Sequence, residues 1–136
     1  MYAFSVELEM SFGQALEAVV QALKEEKLGV ISDVDVQTIM REKLNETRPG
    51  YHILGACAPA LAKRVLDADP EAGALLPCNV IVRELDADRT GVTFMDPIAV
   101  LGLAKDKTIE EVGHEARAQL TRVRDRLSGV PPMSLL

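Results

Sequence analysis

The sequence predicts an α+β domain in which helices cover a mixed or largely antiparallel sheet. Three observations carry that expectation. Stretches with apolar residues at every second position are interleaved with stretches repeating every three to four, the periods of strand and helix. Two strand patterns follow one another late in the chain, around an Asp- and Gly-rich turn, which breaks the strand–helix–strand rhythm of a doubly wound fold. The 136 residues are 48% hydrophobic and contain no repeat, low-complexity run or linker, which fits one domain with a real core.

Residues 2–10 open the chain as a strand, with Tyr2, Phe4, Val6 and Leu8 on one face and Ser5, Glu7 and Glu9 on the other. Ser11 and Gln14 then form a capping box, in which each side chain meets the other residue's free amide. Phe12, Ala15, Leu16, Val19, Val20 and Leu23 make the apolar stripe of the helix that follows, with Gly29 as its expected C-terminal cap. A short strand, 30–34, leads to Asp35, a natural N-cap for a second helix through Val36, Ile39, Met40 and Leu44. Residues 45–50 read as a loop, 51–56 as a third strand and 59–66 as a third helix, broken by 69–73. Strands at 80–82 and 92–95 flank a hairpin loop at 86–91. Asp96-Pro97 ends the second of these, and 98–104 form one or two helical turns. A second capping box, Thr108 to Glu111, is expected to start a long helix running through Val112, Ala116, Leu120 and Val123 to about Gly129. The residues from 130 onward, with two prolines, cannot continue it; they are expected to fray or to dock by their apolar end.

Composition excludes several functions. Aromatic residues make up 4% of the chain and Trp is absent, which disfavours the stacking platforms of single-stranded nucleic-acid binders. A net charge of −6 argues against nucleic acid as a partner, because phosphate backbones demand a basic surface. No apolar run is long enough to span a membrane, and the first residues lack a signal-peptide pattern, so the expected location is the cytoplasm with reduced thiols.

Candidate chemistry centres on two cysteines. Cys57 lies in Gly55-Ala56-Cys57-Ala58-Pro59, a strand running into the first turn of a helix. Amides there lack helical partners and the positive helix end favours an anion or a thiolate. Cys78 lies at the mouth of the next strand. The leading expectation is a small-ligand or anion site near Cys57 and Cys78. The backbone at Cys57, Ala58, Ala60 and Leu61 would bind, and Leu54, Leu76 and Met95 would form apolar walls. A thiol-based redox enzyme or sensor, with Cys57 as nucleophile and Cys78 as resolving partner, is the enzymatic alternative. The third reading is an interaction module whose thiols are buried hydrophobes without chemistry.

Other motifs add little. A zinc site at the cysteines would need two more ligands from His52, His114, Asp96 and Glu115, and the spacing matches no zinc or C-x-x-C motif. His52 is five residues before Cys57, roughly 16 Å along an extended strand, too far to act as its base. No phosphate-binding glycine loop or nucleophile elbow is present, so no cofactor is assigned. Arg117, Arg122, Arg124 and Arg126 invite an anion, but a solvated helix face complementing the helix dipole is the expectation.

Three segments, Tyr51 to Pro59, Leu75 to Val82 and Asp96-Pro97, together resemble the bacterial and archaeal family of domains of unknown function numbered 302, over nearly the whole chain. The resemblance implies a compact α+β fold similar to the TATA-binding-protein-like arrangement of helices over a curved antiparallel sheet, and a cytoplasmic homodimer. It implies no DNA binding and no activity.

Overall fold

The computed structural model describes residues 1–129, so the expected behaviour of the tail from 130 onward lies outside the described residues. The chain runs β1 (Ala3–Leu8), α1 (Phe12–Glu25), β2 (Gly29–Asp35), α2 (Val36–Leu44), β3 (Tyr51–Cys57) and α3 (Pro59–Ala68). A 3-10 segment, Pro70–Leu75, leads to β4 (Cys78–Asp86), β5 (Arg89–Met95), α4 (Pro97–Leu101), a 3-10 turn at Gly102–Ala104 and α5 (Lys107–Leu127). The five strands lie in the order β1-β5-β4-β3-β2, and every neighbouring pair is antiparallel. The α+β expectation holds, and the sheet is antiparallel throughout rather than mixed.

One face of this sheet makes the core. Leu54 and Ala56 on β3, Val80 and Val82 on β4, and Val92 and Phe94 on β5 alternate toward the helices and are almost wholly buried. They pack with Ala15, Val19 and Leu23 of α1 and with Leu120 and Val123 of α5. Phe94, fully buried and stacked on Phe4 at 5.2 Å between centroids, alone removes enough apolar area to contribute roughly 2–3 kcal/mol. Thr90, the buried polar residue of this core, donates its hydroxyl to the Met10 carbonyl at 3.0 Å and so carries no unmet bond.

A second cluster sits beyond the sheet's end: Val65 of α3, Ala72 of the 3-10 segment, Leu101 of α4, and Ile109 and Val112 of α5. Helix α5 belongs to both clusters and ties them together. By contrast α2 has no buried residue and lies against β3 at the sheet's edge.

Local sequence explains most boundaries. The Ser11–Gln14 capping box forms as expected, with Gln14 N donating to Ser11 Oγ at 3.3 Å and Ser11 N donating to Gln14 Oε1 at 3.2 Å. Asp35 caps α2 by accepting from Thr38 N at 3.0 Å. Gly29 is not the cap of α1. Lys27 takes the left-handed conformation (φ 62°), its amide meeting Lys24 O at 3.0 Å and that of Leu28 meeting Leu23 O at 2.9 Å. That pair of bonds, with Leu23 and Leu28 both buried, closes the helix two residues early and frees Gly29 to open β2. The second capping box is also corrected. Asp106, in extended conformation, accepts from Ile109 N at 3.0 Å and starts α5 at Lys107, leaving Thr108 inside the first turn. The stretch 69–73 is not a simple break, because Asp69 accepts from Glu71 N at 3.0 Å and starts a 3-10 segment. The hairpin is tighter than the Asp86–Gly91 expectation: Ala87 and Asp88 alone join β4 to β5, and Gly91 lies within β5 opposite Arg83.

Candidate functional site

A cavity of about 330 Å³ lies where the two apolar clusters meet without merging. Its walls come from every element around the seam. The end of β3 gives Ala56, Cys57 and Ala58, and the inner side of α3 gives Leu61, Ala62 and Val65. The start of β4 gives Leu76, Pro77 and Cys78, and α5 gives Val112, Ala116 and Gln119. Leu101 and Val65, both essentially without solvent exposure, belong to the deep wall, whereas Ile31 and Leu66 are exposed lining residues. Ile31 is the residue skipped by the bulge in the β2–β3 ladder, which pairs Val30 with Ala56 and then Ser32 with Gly55.

The cavity follows from residue size. Ala56, Ala58, Ala62, Gly73 and Ala116 face a space bounded by long helices, and their side chains are too short to close it. Close backbone approach holds the frame beside it. A Cβ on Gly55 would collide with Ser32 Oγ and lie 2.7 Å from Pro77 Cγ, so only glycine lets β2, β3 and the entry to β4 meet.

The two cysteines, twenty-one positions apart in sequence, both line this cavity and both are free thiols. Cys78 stands opposite Ala56 in the β3–β4 ladder, and Cys57 ends β3 opposite Gly29. Burial pushes the Cys78 thiol up to about 11, and the neighbouring Cys57 adds to the rise. Cys78 is therefore protonated at neutral pH, which suits a wall residue and works against a resolving thiolate or a metal ligand. Cys57 is half-buried.

Of the backbone positions expected to bind an anion, Ala58 and Leu61 line the cavity, whereas Ala60 is exposed and outside it. The helix start offers few open amides: Pro59 has none, and those of Leu61 and Ala62 both turn back to the Ala58 carbonyl at 3.0 Å. Leu76 forms a wall as expected. Leu54 and Met95 do not, because both pack into the main core under α1 and α5.

The remaining candidate ligands are dispersed. His52 Nδ1 sits 2.7 Å from Asp33 Oδ1, opposite Asp35 at the far end of β3 from Cys57. Asp96 caps α4 and pairs with Arg117 at 2.6 Å, while Glu115 pairs with Arg64 at 2.6 Å, and His114 is exposed. Among the described residues, no group of three or more His, Cys, Asp or Glu is placed to hold a metal ion. The arginines of α5 are not a free solvated face. Arg122 and Arg126 converge on Glu26 at 2.6 and 2.8 Å, and Arg117 lies 4.2 Å over the Phe4 ring. Burial alone would raise the Glu26 carboxyl, but the hydrogen bonds and charges of Arg122 and Arg126 hold it below its ordinary range.

One lining residue escaped the sequence reading. Among the described residues, Gln119 is the one lining side chain that carries a polar group other than the thiols. Its Nε2 donates to the Glu26 carbonyl at 3.2 Å, and its Oε1 is buried without a donor among the described residues. The signal was present: Gln119 falls three residues after Ala116 and seven after Val112, on the inward stripe of α5, where a polar residue needs a reason.

The family model described as "Domain of unknown function DUF302" matches residues 4–127. The chain belongs to the DUF302 family. A solved structure of similar shape is the crystal structure of an uncharacterized conserved DUF302 protein from Bacillus stearothermophilus. It is 25% identical, with a TM-score of 0.85 over 93% of this chain and 98% of that one. No curated protein matches. DUF302 membership thus agrees with the resemblance carried by the segments around Cys57, Cys78 and Asp96, and the family assigns no chemistry to them. No helix among the described residues is long and apolar enough to cross a membrane.

Proposed function

We propose that this protein binds a small, predominantly apolar molecule in the cavity between β3, α3, β4 and α5. The observation that carries the reading is the lining itself: among the described residues it is aliphatic side chains and alanines throughout, two thiols and one amide, without a cationic group. An anion would give up its hydration there for no countercharge, whereas an apolar body gains dispersion contacts and leaves water. At about 330 Å³ the cavity falls at the small end of ligand pockets, which run from roughly 300 to 1,000 Å³. Two free thiols fit binding in a reducing compartment such as the cytoplasm.

Thermal unfolding against a panel of small apolar and anionic compounds tests this. An apolar compound held at a hundred times its Kd should stabilise the fold by about 2.7 kcal/mol. Replacing Ala62→Trp, which fills the cavity from α3, should remove that response while leaving the fold intact. Stabilisation by anions alone, or by apolar compounds equally in the filled variant, would overturn the reading.

A further inference from the structure

We infer that the cavity takes the hydrocarbon tail of a single-chain amphiphile and leaves the polar head in water at its open side. The inference rests on the apolar-ligand reading and adds the ligand's shape, direction and polar end.

The lining is graded from buried to exposed. On the side of α4 and α5, Leu101, Val112 and Ala116 are at most 6% exposed and form the floor. Toward α3 the walls open: Leu61 and Ala62 are half-buried, and Leu66 is 43% exposed. Ile31, at 64%, is the most open lining residue. The bulge in β2 accounts for its place, because Val30 pairs with Ala56 and Ser32 with Gly55, leaving Ile31 out of the ladder beside the end of β3. The space therefore has a buried apolar floor and a rim that carries two exposed aliphatic side chains.

The space is also long. Its lining residues along α3 fall at 58, 61, 62, 65 and 66, one face of the helix, over about 12 Å at 1.5 Å per residue. An extended hydrocarbon advances roughly 1.25 Å per bond, so a tail of roughly eight to ten carbons spans that length. A charged head on the floor would lose its hydration and meet no countercharge among the described lining residues. A wholly apolar chain would instead present its own end to water at the rim. An amphiphile meets both conditions, with the tail out of water and the head in it. No charged lining group is present among the described residues to select the head, so the ligand class is set by the tail: an n-alkyl carboxylate, amine or alcohol of medium length.

Octanoate, octylammonium and 1-octanol, below micelle formation, separate tail from head. Calorimetry on the wild-type chain is run at about 0.15 M salt, which screens the net charge of −6. All three should bind, with dissociation constants within about tenfold of one another. Along the alkanoates, affinity should rise about fourfold per methylene up to about ten carbons and then level, as further carbons pass the rim. Binding of 1-octanol alone would overturn the amphiphile and leave the apolar cavity standing. Loss of binding by chains beyond that length would do the same, since it marks a closed space. Failure of all three, or equal binding to Ala62→Trp, would overturn this inference and the cavity reading together. Ile31→Lys and Leu66→Lys, at two exposed positions, locate the head. The preference for octanoate over octylammonium should rise about threefold or more in at least one of them. A preference unchanged in both variants, with the chains still bound, would refute a head at the rim.

Discussion

Arg117 Nη1 donates to Asp96 Oδ2 at 2.6 Å, and this bond ties the middle of α5 to the first turn of α4. The same guanidinium covers the Phe4 ring at 4.2 Å, so one side chain links a helix, a helix cap and the edge strand β1. Asp96 is also the cap of α4, accepting from Ile98 N at 2.9 Å. The Asp96-Pro97 pair at the end of β5 therefore serves as a corner, where the sheet hands the chain to the helical cluster that walls the cavity.

Because the Asp96 side chain is 13% exposed and that of Arg117 31%, their pairing should be worth more than a surface ion pair. Arg117→Met should cost about 1–3 kcal/mol in urea unfolding, combining the lost cation–π contact with a carboxylate left short of a donor. A double-mutant cycle with Asp96→Asn should return a coupling of about 1 kcal/mol or more. The same cycle on Arg64 and Glu115, exposed by 40% and 52%, should return close to zero. Equal couplings for the two pairs would refute the distinction.

Local rules made the fold legible where a side chain acts on its own backbone. The capping box at Ser11 and the cap at Asp35 were readable because each side chain meets an amide three residues on, and the stripe of α1 and the alternation of β3 to β5 because burial follows period. The misplaced boundaries have different causes. At Lys27 an ordinary residue takes the left-handed conformation usually left to glycine, closed by the bond from Leu28 N to Leu23 O. At Asp106 a residue that caps at least as well as Thr stands directly after the turn through Lys105 (φ 53°) and caps the helix two positions earlier.

The candidate site was half legible. That Cys57 and Cys78 line one space follows from β3 and β4 being neighbours, a pairing the sequence alone left open. What the sequence hid was the character of that space. A cavity arises from what neighbouring elements fail to fill, and the alanines that leave it open come from β3, α3 and α5. Gln119 was missed for the same reason: its role appears only when α1 brings the Glu26 carbonyl against it.

Glycine at 113 is predicted to be irreplaceable and glycine at 13 improvable, although both are helical. A Cβ on Gly113 would stand 2.9 Å from the Pro97 carbonyl oxygen and 3.5 Å from Ile98 Cα, backbone atoms that cannot swing aside. The helix-propensity gain of about 1 kcal/mol on Gly→Ala is outweighed there, and Gly113→Ala should lower stability by about 1–3 kcal/mol. A Cβ on Gly13 meets nothing within 4 Å, so Gly13→Ala in α1 should raise stability by about 0.5–1 kcal/mol. Chemical denaturation of the two variants checks the opposite signs, and a stabilised Gly113→Ala chain would mean that α4 and α5 do not approach as closely as described.

The thiol of Cys78 should leave its signature in alkaline solution. Burial raises it from an ordinary 9.0 to about 11. Below pH 9 the thiol is protonated in both folded and unfolded chains and contributes nothing pH-dependent. Between the two values the unfolded chain ionises first, so the stabilisation present at neutral pH is lost as pH climbs through the folded value, by roughly 3 kcal/mol in all. Lysines and tyrosines titrate in the same range, so the reference is Cys78→Ala measured alongside. The stability difference between the two chains should be flat to pH 9 and then shrink toward pH 11. Iodoacetamide should correspondingly leave Cys78 unmodified in the folded chain at neutral pH. A difference that stays level through pH 11, or alkylation of Cys78 at neutral pH without unfolding, would show a thiol open to solvent rather than set into the cavity wall.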